Sequence, residues 1–197
     1  DYWLNIRPGT DAYIAQAWTN IVIERDLYDA LYVKRWTNAP FLFSEEVEPS
    51  GGYVMEGGGG VHLSTRLLKE SDIKEGGSFR RFMVWDELAG TDENHPLHHN
   101  DPTGHLTYFD SETCLWEGET YRKPTTGFTV EQPEQSSGSA PAWFPDPTPF
   151  DPEIDPALYG EFDVALANGR TVSVRPVWSI YAERCAEYTP ERASELT

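Results

Sequence analysis

The chain has 197 residues, 39% hydrophobic and 13% aromatic, a composition that predicts a folded chain with a buried core rather than a disordered one. Its formal net charge of −18 disfavours nucleic acid and anionic membranes as partners, since both require a basic surface. No apolar run in the sequence is long enough to span a bilayer, and no targeting signal indicates a compartment.

A turn near the start of the chain is the first informative feature. The sequence R-P-G-T-D at residues 7–11 follows the apolar-rich run 2–6 and predicts a strand end, a tight turn and a helix start. Proline fixes its own φ, Gly9 allows a sharp turn or a close approach to a ligand, and Thr10 is a favourable N-cap. Asp11 falls in the first helical turn, where the dipole favours a carboxylate. In an α/β protein, nucleotide-like ligands bind at such a junction.

Hydrophobic spacing then predicts two helices, the first of which has few polar residues and is expected to be packed on most sides. These helices are predicted over 10–25 and 28–36. Short strands are predicted at 41–43, 80–87 and 106–109, and Trp116 and Tyr121 indicate further β structure with irregular connections.

Residues 131–158 are rich in proline and predict an extended surface arm without regular structure. Seven of the 15 prolines of the chain fall in this range, so regular hydrogen-bonded structure is disfavoured there. Trp143, Phe144 and Phe150 are candidates for anchoring the arm to the rest of the protein.

The pair Asn168-Gly169 lies between two alternating runs and predicts a β-hairpin. A type I′ turn is expected there, because that turn requires φ > 0 at both central positions. Two helices follow, one over 177–187 opened by Pro176 and one that begins after the N-cap candidate Thr189. The chain is therefore predicted to be α+β.

Several stretches, taken together, carry a family resemblance. They are L-N-I-R-P-G-T-D-A at 4–12, L-Y-D at 27–29, W-T-N-A-P-F-L at 36–42, L-L-K-E-S-D-I at 67–73, E-G-G-S at 75–78, F-M-V-W-D at 82–86 and Y-T-P-E at 188–191. With the Asn-Gly hairpin, this order resembles the molybdopterin oxidoreductases of the dimethyl sulfoxide reductase family, in the branch of acetylene hydratase-like and catechol dehydroxylase-like proteins. The resemblance covers most of the chain apart from 44–62, 90–105 and 119–150.

The resemblance implies that the chain is a middle segment of a catalytic subunit that binds bis(molybdopterin guanine dinucleotide) with molybdenum or tungsten. The iron–sulfur cysteines, the metal ligand and the C-terminal pterin-binding domain would lie outside this segment, so no catalytic or metal-ligating residue is expected within it. Expected partners are the rest of the subunit, an iron–sulfur electron-transfer subunit and a small-molecule substrate, with no nucleic acid and no membrane contact by this segment.

Within that family, the turn is expected to bind the nucleotide. Guanine presents its N1–H and exocyclic amine on one edge, and a carboxylate accepts both in a charge-assisted pair. Asp11 is the expected carboxylate, Gly9 and Thr10 would bring a backbone N–H and a hydroxyl to the nucleotide, and Arg7 would approach a phosphate. The alternatives are that Thr10 and Asp11 only cap the helix and that Arg7 pairs with an acidic neighbour.

The segments divide into four predicted parts: a cofactor-binding α/β segment at 1–43, an inserted irregular β-containing region at 44–130, the proline-rich arm at 131–158, and the hairpin with C-terminal helices at 159–197, which would pack on the first segment. An alternative function stays open, in which the chain is an acidic α+β interaction module without catalysis that binds a protein or carbohydrate through exposed aromatic side chains.

Other candidate residues have simpler structural explanations. A solvated loop, rather than a metal site, is predicted for a group of histidines and acids: His95, His98, His99, His105, Asp92, Glu93 and Asp101. Residues 57–60 are predicted to form a flexible loop rather than a phosphate loop. Polar positions in loops and at strand ends, rather than acid–base catalysis, explain Asp72, Glu75 and Asp86. The core is predicted to contain five of the tryptophans, Trp3, Trp18, Trp36, Trp85 and Trp178. Cys185 is predicted to be a small core residue. Cys114 and Cys185 form no C-x-x-C pair, and a disulfide between them stays open.

Overall fold

A computed structural model describes residues 7–49, 65–113, 115–118 and 154–196. These residues form five helices and two three-stranded antiparallel sheets, which confirms the predicted α+β class. The helices are α1 (Asp11–Glu24), α2 (Ala30–Trp36), α3 (Glu70–Ile73), α4 (Val177–Ala186) and α5 (Pro190–Leu196). The strands are β1 (Leu42–Phe43), β2 (Arg81–Trp85), β3 (Leu106–Asp110), β4 (Leu115–Trp116), β5 (Phe162–Ala165) and β6 (Thr171–Pro176).

The strand order is β1-β6-β5 in one sheet and β2-β3-β4 in the other. The stretch before α3 links the two sheets, because the Leu68 N–H donates to the Leu42 oxygen at 2.8 Å and the Met83 N–H donates to the Leu68 oxygen at 2.9 Å. Apolar side chains from both sheets meet there and form the main core: Leu42, Val47, Leu68, Ile73, Met83, Leu97, Leu106, Val164, Leu166, Val172 and Val174. Burial of these side chains supplies the main stabilisation of the fold.

The predicted helices agree with the structure, and local hydrogen bonds explain where two of them begin. The Asp29 side chain accepts a hydrogen bond from the Tyr32 N–H at 3.0 Å, so α2 starts two residues later than predicted. At the C-terminal end, Thr189 Oγ1 accepts from the Arg192 N–H at 3.3 Å, as expected of an N-cap.

The predicted hairpin is present, but the predicted type I′ turn is wrong. Of these two residues only Gly169 has a positive φ, of 79°. Its N–H donates to the Leu166 oxygen at 2.9 Å, and the Leu166 N–H donates to the Arg170 oxygen at 2.7 Å. This is a three-residue loop in which a type I turn is followed by a left-handed glycine. One positive φ is enough for that loop, so Asn168 remains in the ordinary region.

The exposed arm predicted at 131–158 can be compared with the structure only from residue 154 onward. There the chain is folded against the second sheet, since the Ala157 N–H donates to the Trp85 oxygen at 2.8 Å. Ala157 and Leu158 are buried, which differs from the expectation of a surface arm at this end. The run 2–6, the glycines at 57–60, Cys114 and the anchoring aromatics at 143–150 lie outside the described residues.

Candidate functional site

The predicted turn before α1 has the hydrogen bond and glycine position of a type II β-turn. The Thr10 N–H donates to the Arg7 oxygen at 3.2 Å, Pro8 occupies the second position, and Gly9 follows with a φ of +85°. That φ favours glycine, while proline is common at the position before it. The sequence therefore fixes a tight turn immediately before the first residue of the helix, Asp11.

The Thr10 side chain does not cap α1, contrary to the prediction. Its backbone angles, φ −107° and ψ 8°, lie outside the extended region that a capping residue usually adopts. The hydroxyl instead donates back to the Arg7 oxygen at 2.7 Å, next to the bond from its own N–H. Thr10 therefore closes the turn, and its two donors are no longer available to a ligand.

The start of α1 keeps its own donors. Among the described residues, no hydrogen bond engages the N–H groups of Asp11 and Ala12, which follow Thr10. Uncapped N–H groups at a helix start carry partial positive charge and attract anions. The residues present thus fit the phosphate or ribose oxygens of a nucleotide.

Charged side chains flank these donors. Asp11 and Arg7 are both exposed, and within the described part of the chain neither carries an ion pair or side-chain hydrogen bond. The alternative in which Arg7 pairs with an acidic neighbour is therefore not realised among these residues. A Cβ on Gly9 would meet no atom within 4 Å, so the outer side of the turn is open.

Helices α4 and α5, with the residues between them, pack against α1 and hold it in position. Tyr13 stacks on Tyr188 with ring centroids 6.0 Å apart, and the Cys185 thiol donates to Gln16 Oε1 at 3.5 Å. Cys185 is fully buried and free, as expected of a small core residue. The last helices of the chain therefore support the helix that begins at the turn.

The histidine-containing loop is solvated at Asp92, Glu93 and His99, as predicted, but it is folded into the protein around Asp101, where the prediction is wrong. Leu97, Asn100 and Asp101 are buried. Asp101 accepts hydrogen bonds from the N–H groups of His105 and Leu106 at 2.7 and 2.9 Å, and its carboxylate therefore organises the loop. Among the described residues, no group of three His, Cys, Asp or Glu side chains is placed to hold a metal ion.

Two carboxylates singled out from the sequence also serve the fold. Asp86 is buried and accepts from the Asp155 and Leu88 N–H groups at 2.8 and 3.0 Å. Asp72 accepts from the Lys69 N–H at 2.8 Å at the start of α3. Both carboxylates satisfy backbone donors at element ends, as the interpretation of strand-end and loop polarity expects.

Sequence reasoning missed a buried ionic cluster around Glu70, whose side chain is 3% exposed. Lys74 and Arg81 pair with it at 2.6 and 3.2 Å, and the Ser78 N–H donates to it at 2.9 Å. Burial would raise the pKa of Glu70, but these hydrogen bonds and positive charges outweigh it and lower the pKa. The i, i+4 spacing of Glu70 and Lys74 was the only local signal for this cluster.

The tryptophans divide between core and surface. Trp85 stacks on Phe162 with centroids 4.1 Å apart and packs against the main core, as predicted. Trp18 and Trp36, predicted to be core, are 58% and 45% exposed. Their helical spacing indicated a packed face but could not show what covers it.

Comparison with known proteins identifies the relatives of this chain. No protein-family profile matches it. It is 47% identical, over its whole length, to a dopamine dehydroxylase of Eggerthella lenta, and 28% identical over its whole length to the perchlorate reductase alpha subunit of Dechloromonas aromatica. A 90-residue stretch is 33% identical to the chlorate reductase alpha subunit of Ideonella dechloratans. The chain spans about one fifth of the length of the first of these relatives (20%) and 17% of the second.

The chain therefore belongs to the molybdopterin oxidoreductases of the dimethyl sulfoxide reductase family, as the sequence resemblance predicted. It corresponds to a segment of the large catalytic subunit, and the relatives imply a molybdopterin cofactor and further subunits for such enzymes. None of the described helices is long and apolar enough to cross a membrane.

Proposed function

We propose that this chain supplies a nucleotide-binding turn to a molybdenum or tungsten oxidoreductase. Asp11 would accept the two donors of a guanine edge, the N–H groups at the start of α1 would bind oxygens of the nucleotide, and Arg7 would approach a phosphate. Gly9 would let the base come close, and Thr10 would hold the turn closed. The observation that carries this proposal is the exposed Asp11 carboxylate beside a helix start that lacks a side-chain cap.

The cofactor proposed is bis(molybdopterin guanine dinucleotide), whose metal supplies two-electron redox chemistry when bound. This chain would bind and orient one nucleotide end of that group. Iron–sulfur clusters and an electron-transfer subunit are proposed for the parent enzyme outside this segment.

For the parent enzyme we propose reduction of a catechol-type substrate, because the relative at 47% identity is named a dopamine dehydroxylase. Removal of a ring hydroxyl is a two-electron reduction that releases water. A purified parent enzyme with a chemical electron donor should convert a catechol to the corresponding phenol and leave perchlorate unchanged. Perchlorate reduction without catechol conversion would contradict this substrate class.

The cofactor proposal is tested on the full-length parent by measuring bound metal and the guanine nucleotide released on denaturation. Absence of both metal and nucleotide from a fully folded preparation would overturn the proposal. Asp11→Asn keeps the shape of the side chain but removes its charge, so it isolates the carboxylate. Loss of a charge-assisted hydrogen bond of about 1.5–3 kcal/mol corresponds to a loss of affinity of more than about tenfold.

Glu24→Gln is the matched control, since it makes the same change at the other, exposed end of α1. We expect guanine occupancy to fall in Asp11→Asn and to stay unchanged in Glu24→Gln. The thermal unfolding of the two apo variants should be similar. Equal occupancy in both variants would rule out the guanine role of Asp11.

A further inference from the structure

The strongest unexplained feature is a run of exposed apolar side chains along α1, α2 and the residues between them. Six of the ten exposed large hydrophobic side chains recorded for the described residues lie in this short stretch. They are Trp18, Val22, Leu27, Leu31, Tyr32 and Trp36, which together we call the α1–α2 face. The Leu27 N–H donates to the Val22 oxygen at 2.9 Å, which joins the end of α1 to the connection before α2.

The sequence of α1 does not suit a helix that faces water on this side. No charged residue occurs from Ala12 to Ile23, although the chain as a whole has a net charge of −18. One side of the helix is covered, since it packs against α4 and α5. The opposite side, which includes Ala15 and Trp18, is exposed. A helix that is apolar on nearly all sides normally lies in a protein interior.

We infer that the α1–α2 face is an internal interface, covered by another part of the same parent polypeptide. This inference rests on the proposed function, in which the chain is a segment of a long catalytic subunit. The chain spans about one fifth of its first relatives, so most of such a subunit lies outside these 197 residues. The covering surface is expected to be aliphatic and aromatic, and free of charge opposite Trp18 and Val22.

Charge argues for that occupant over two others. A second copy packed on this face would bring two copies of this acidic segment together, each with a net charge of −18, and the two segments repel at low ionic strength. An anionic lipid surface would repel the chain in the same way. A segment of the same polypeptide is held near the face by the covalent chain, and therefore docks at a high effective concentration.

The test uses the full-length subunit with a photo-crosslinking residue, p-benzoylphenylalanine, in place of Val22. After irradiation we expect cross-links to peptides of the same polypeptide outside these 197 residues, in a product with the mass of one subunit. Cross-links that lie only within these residues, that join a second copy or a partner subunit, or that do not form at all would overturn the inference. Replacement of Leu88, which is 59% exposed outside the face, is the matched control position.

The unmodified subunit provides a second measurement if the Val22 variant does not fold. Hydroxyl-radical oxidation of Trp18, which is 58% exposed in this structure, is compared in the native and the denatured subunit. We expect native Trp18 to react about tenfold more slowly than denatured Trp18, as a covered side chain does. A native rate near half the denatured rate would mean that the face stays open. Metal and guanine content of the same preparation report separately on the proposed function.

Discussion

The Thr10 hydroxyl donates to the Arg7 carbonyl oxygen at 2.7 Å, which ties the first residue of the turn to the residue before α1. The hydroxyl oxygen accepts no hydrogen bond from the first N–H groups of the helix, which therefore stay uncapped by Thr10. The same contact thus stabilises the turn and leaves donors for a ligand. The first two predictions follow from this arrangement.

Replacing Thr10 by Val removes the hydroxyl and keeps the side-chain shape. Loss of one neutral hydrogen bond costs about 0.5–1.5 kcal/mol, so guanine affinity of the parent enzyme should fall by up to about tenfold. Thr10→Ser keeps the hydroxyl and should retain the parent affinity. Nucleotide release after denaturation measures both variants, and an equal loss in Thr10→Ser would assign the effect to the methyl group instead.

Replacing Gly9 by Ala should weaken the turn through backbone strain alone. A Cβ would meet no atom within 4 Å, but the φ of +85° costs an alanine about 1–2 kcal/mol. We expect lower guanine occupancy and faster hydrogen–deuterium exchange at residues 10–14 of the parent enzyme. Gly9→Asn should retain more occupancy, because asparagine tolerates a left-handed backbone. Similar losses in both variants would indicate that the open space itself matters.

The Glu70 cluster should make stability depend on acid pH. The pKa of Glu70 is lowered in the folded protein, so its contribution is present above its unfolded pKa of about 4.5 and is lost as the pH falls through the folded pKa. The free energy of unfolding of Glu70→Gln should be about 1.5–3 kcal/mol lower than that of the parent protein at pH 7, and it should decline less steeply as the pH falls. Thermal unfolding between pH 7 and pH 3 measures this.

Glu75→Gln is the control for that measurement, because Glu75 is exposed and has no ion pair among the described residues. It should follow the parent protein at every pH. If the stability of Glu70→Gln declines in acid as steeply as that of Glu75→Gln, the pH dependence of stability comes from other carboxylates.

Asn100 joins three parts of the fold and should be sensitive to truncation. The side-chain amide of Asn100 donates to the Ile73 and Ala165 oxygens at 2.6 and 2.8 Å, while the backbone carbonyl oxygen of Asn100 accepts from the Ala165 N–H at 3.0 Å. Asn100→Ala would leave two carbonyls unpaired, at about 1–3 kcal/mol each. Thermal unfolding should show a clear loss, whereas Asn94→Ala in the exposed part of the loop should change little. Equal stability of the two variants would contradict this role.

Periodicity and turn chemistry were sufficient to predict most elements of the fold. The bounds of α1 differ from the prediction by one residue at each end, because its apolar spacing is regular and the proline–glycine turn limits it. The hairpin was predicted from Asn168-Gly169, but its turn type depends on whether Leu166 pairs with Arg170, and no residue pair in the sequence encodes that register.

The turn before α1 could be located from sequence, but its side-chain hydrogen bonds could not. The position of the turn follows from Gly9 and its neighbouring proline, whereas the direction of the Thr10 hydroxyl depends on backbone angles that a sequence does not state. The exposure of Trp18 has a similar cause, since helical spacing indicates an apolar face without naming the surface that covers it. The sequence around Asp101 predicted a solvated loop, whereas the role of its carboxylate depends on the N–H groups of His105 and Leu106 that donate to it.

The pairing of β1 with β6 has a consequence for the order of assembly during synthesis. Leu42 lies opposite Pro176, so the first sheet joins strands from opposite ends of the chain. The helix that begins at the Gly9 turn likewise packs against the last two helices. A ribosome must therefore release nearly the whole segment before either contact forms. The turn acquires its final support late, and the proposed capture of a nucleotide would follow completion of this segment rather than precede it.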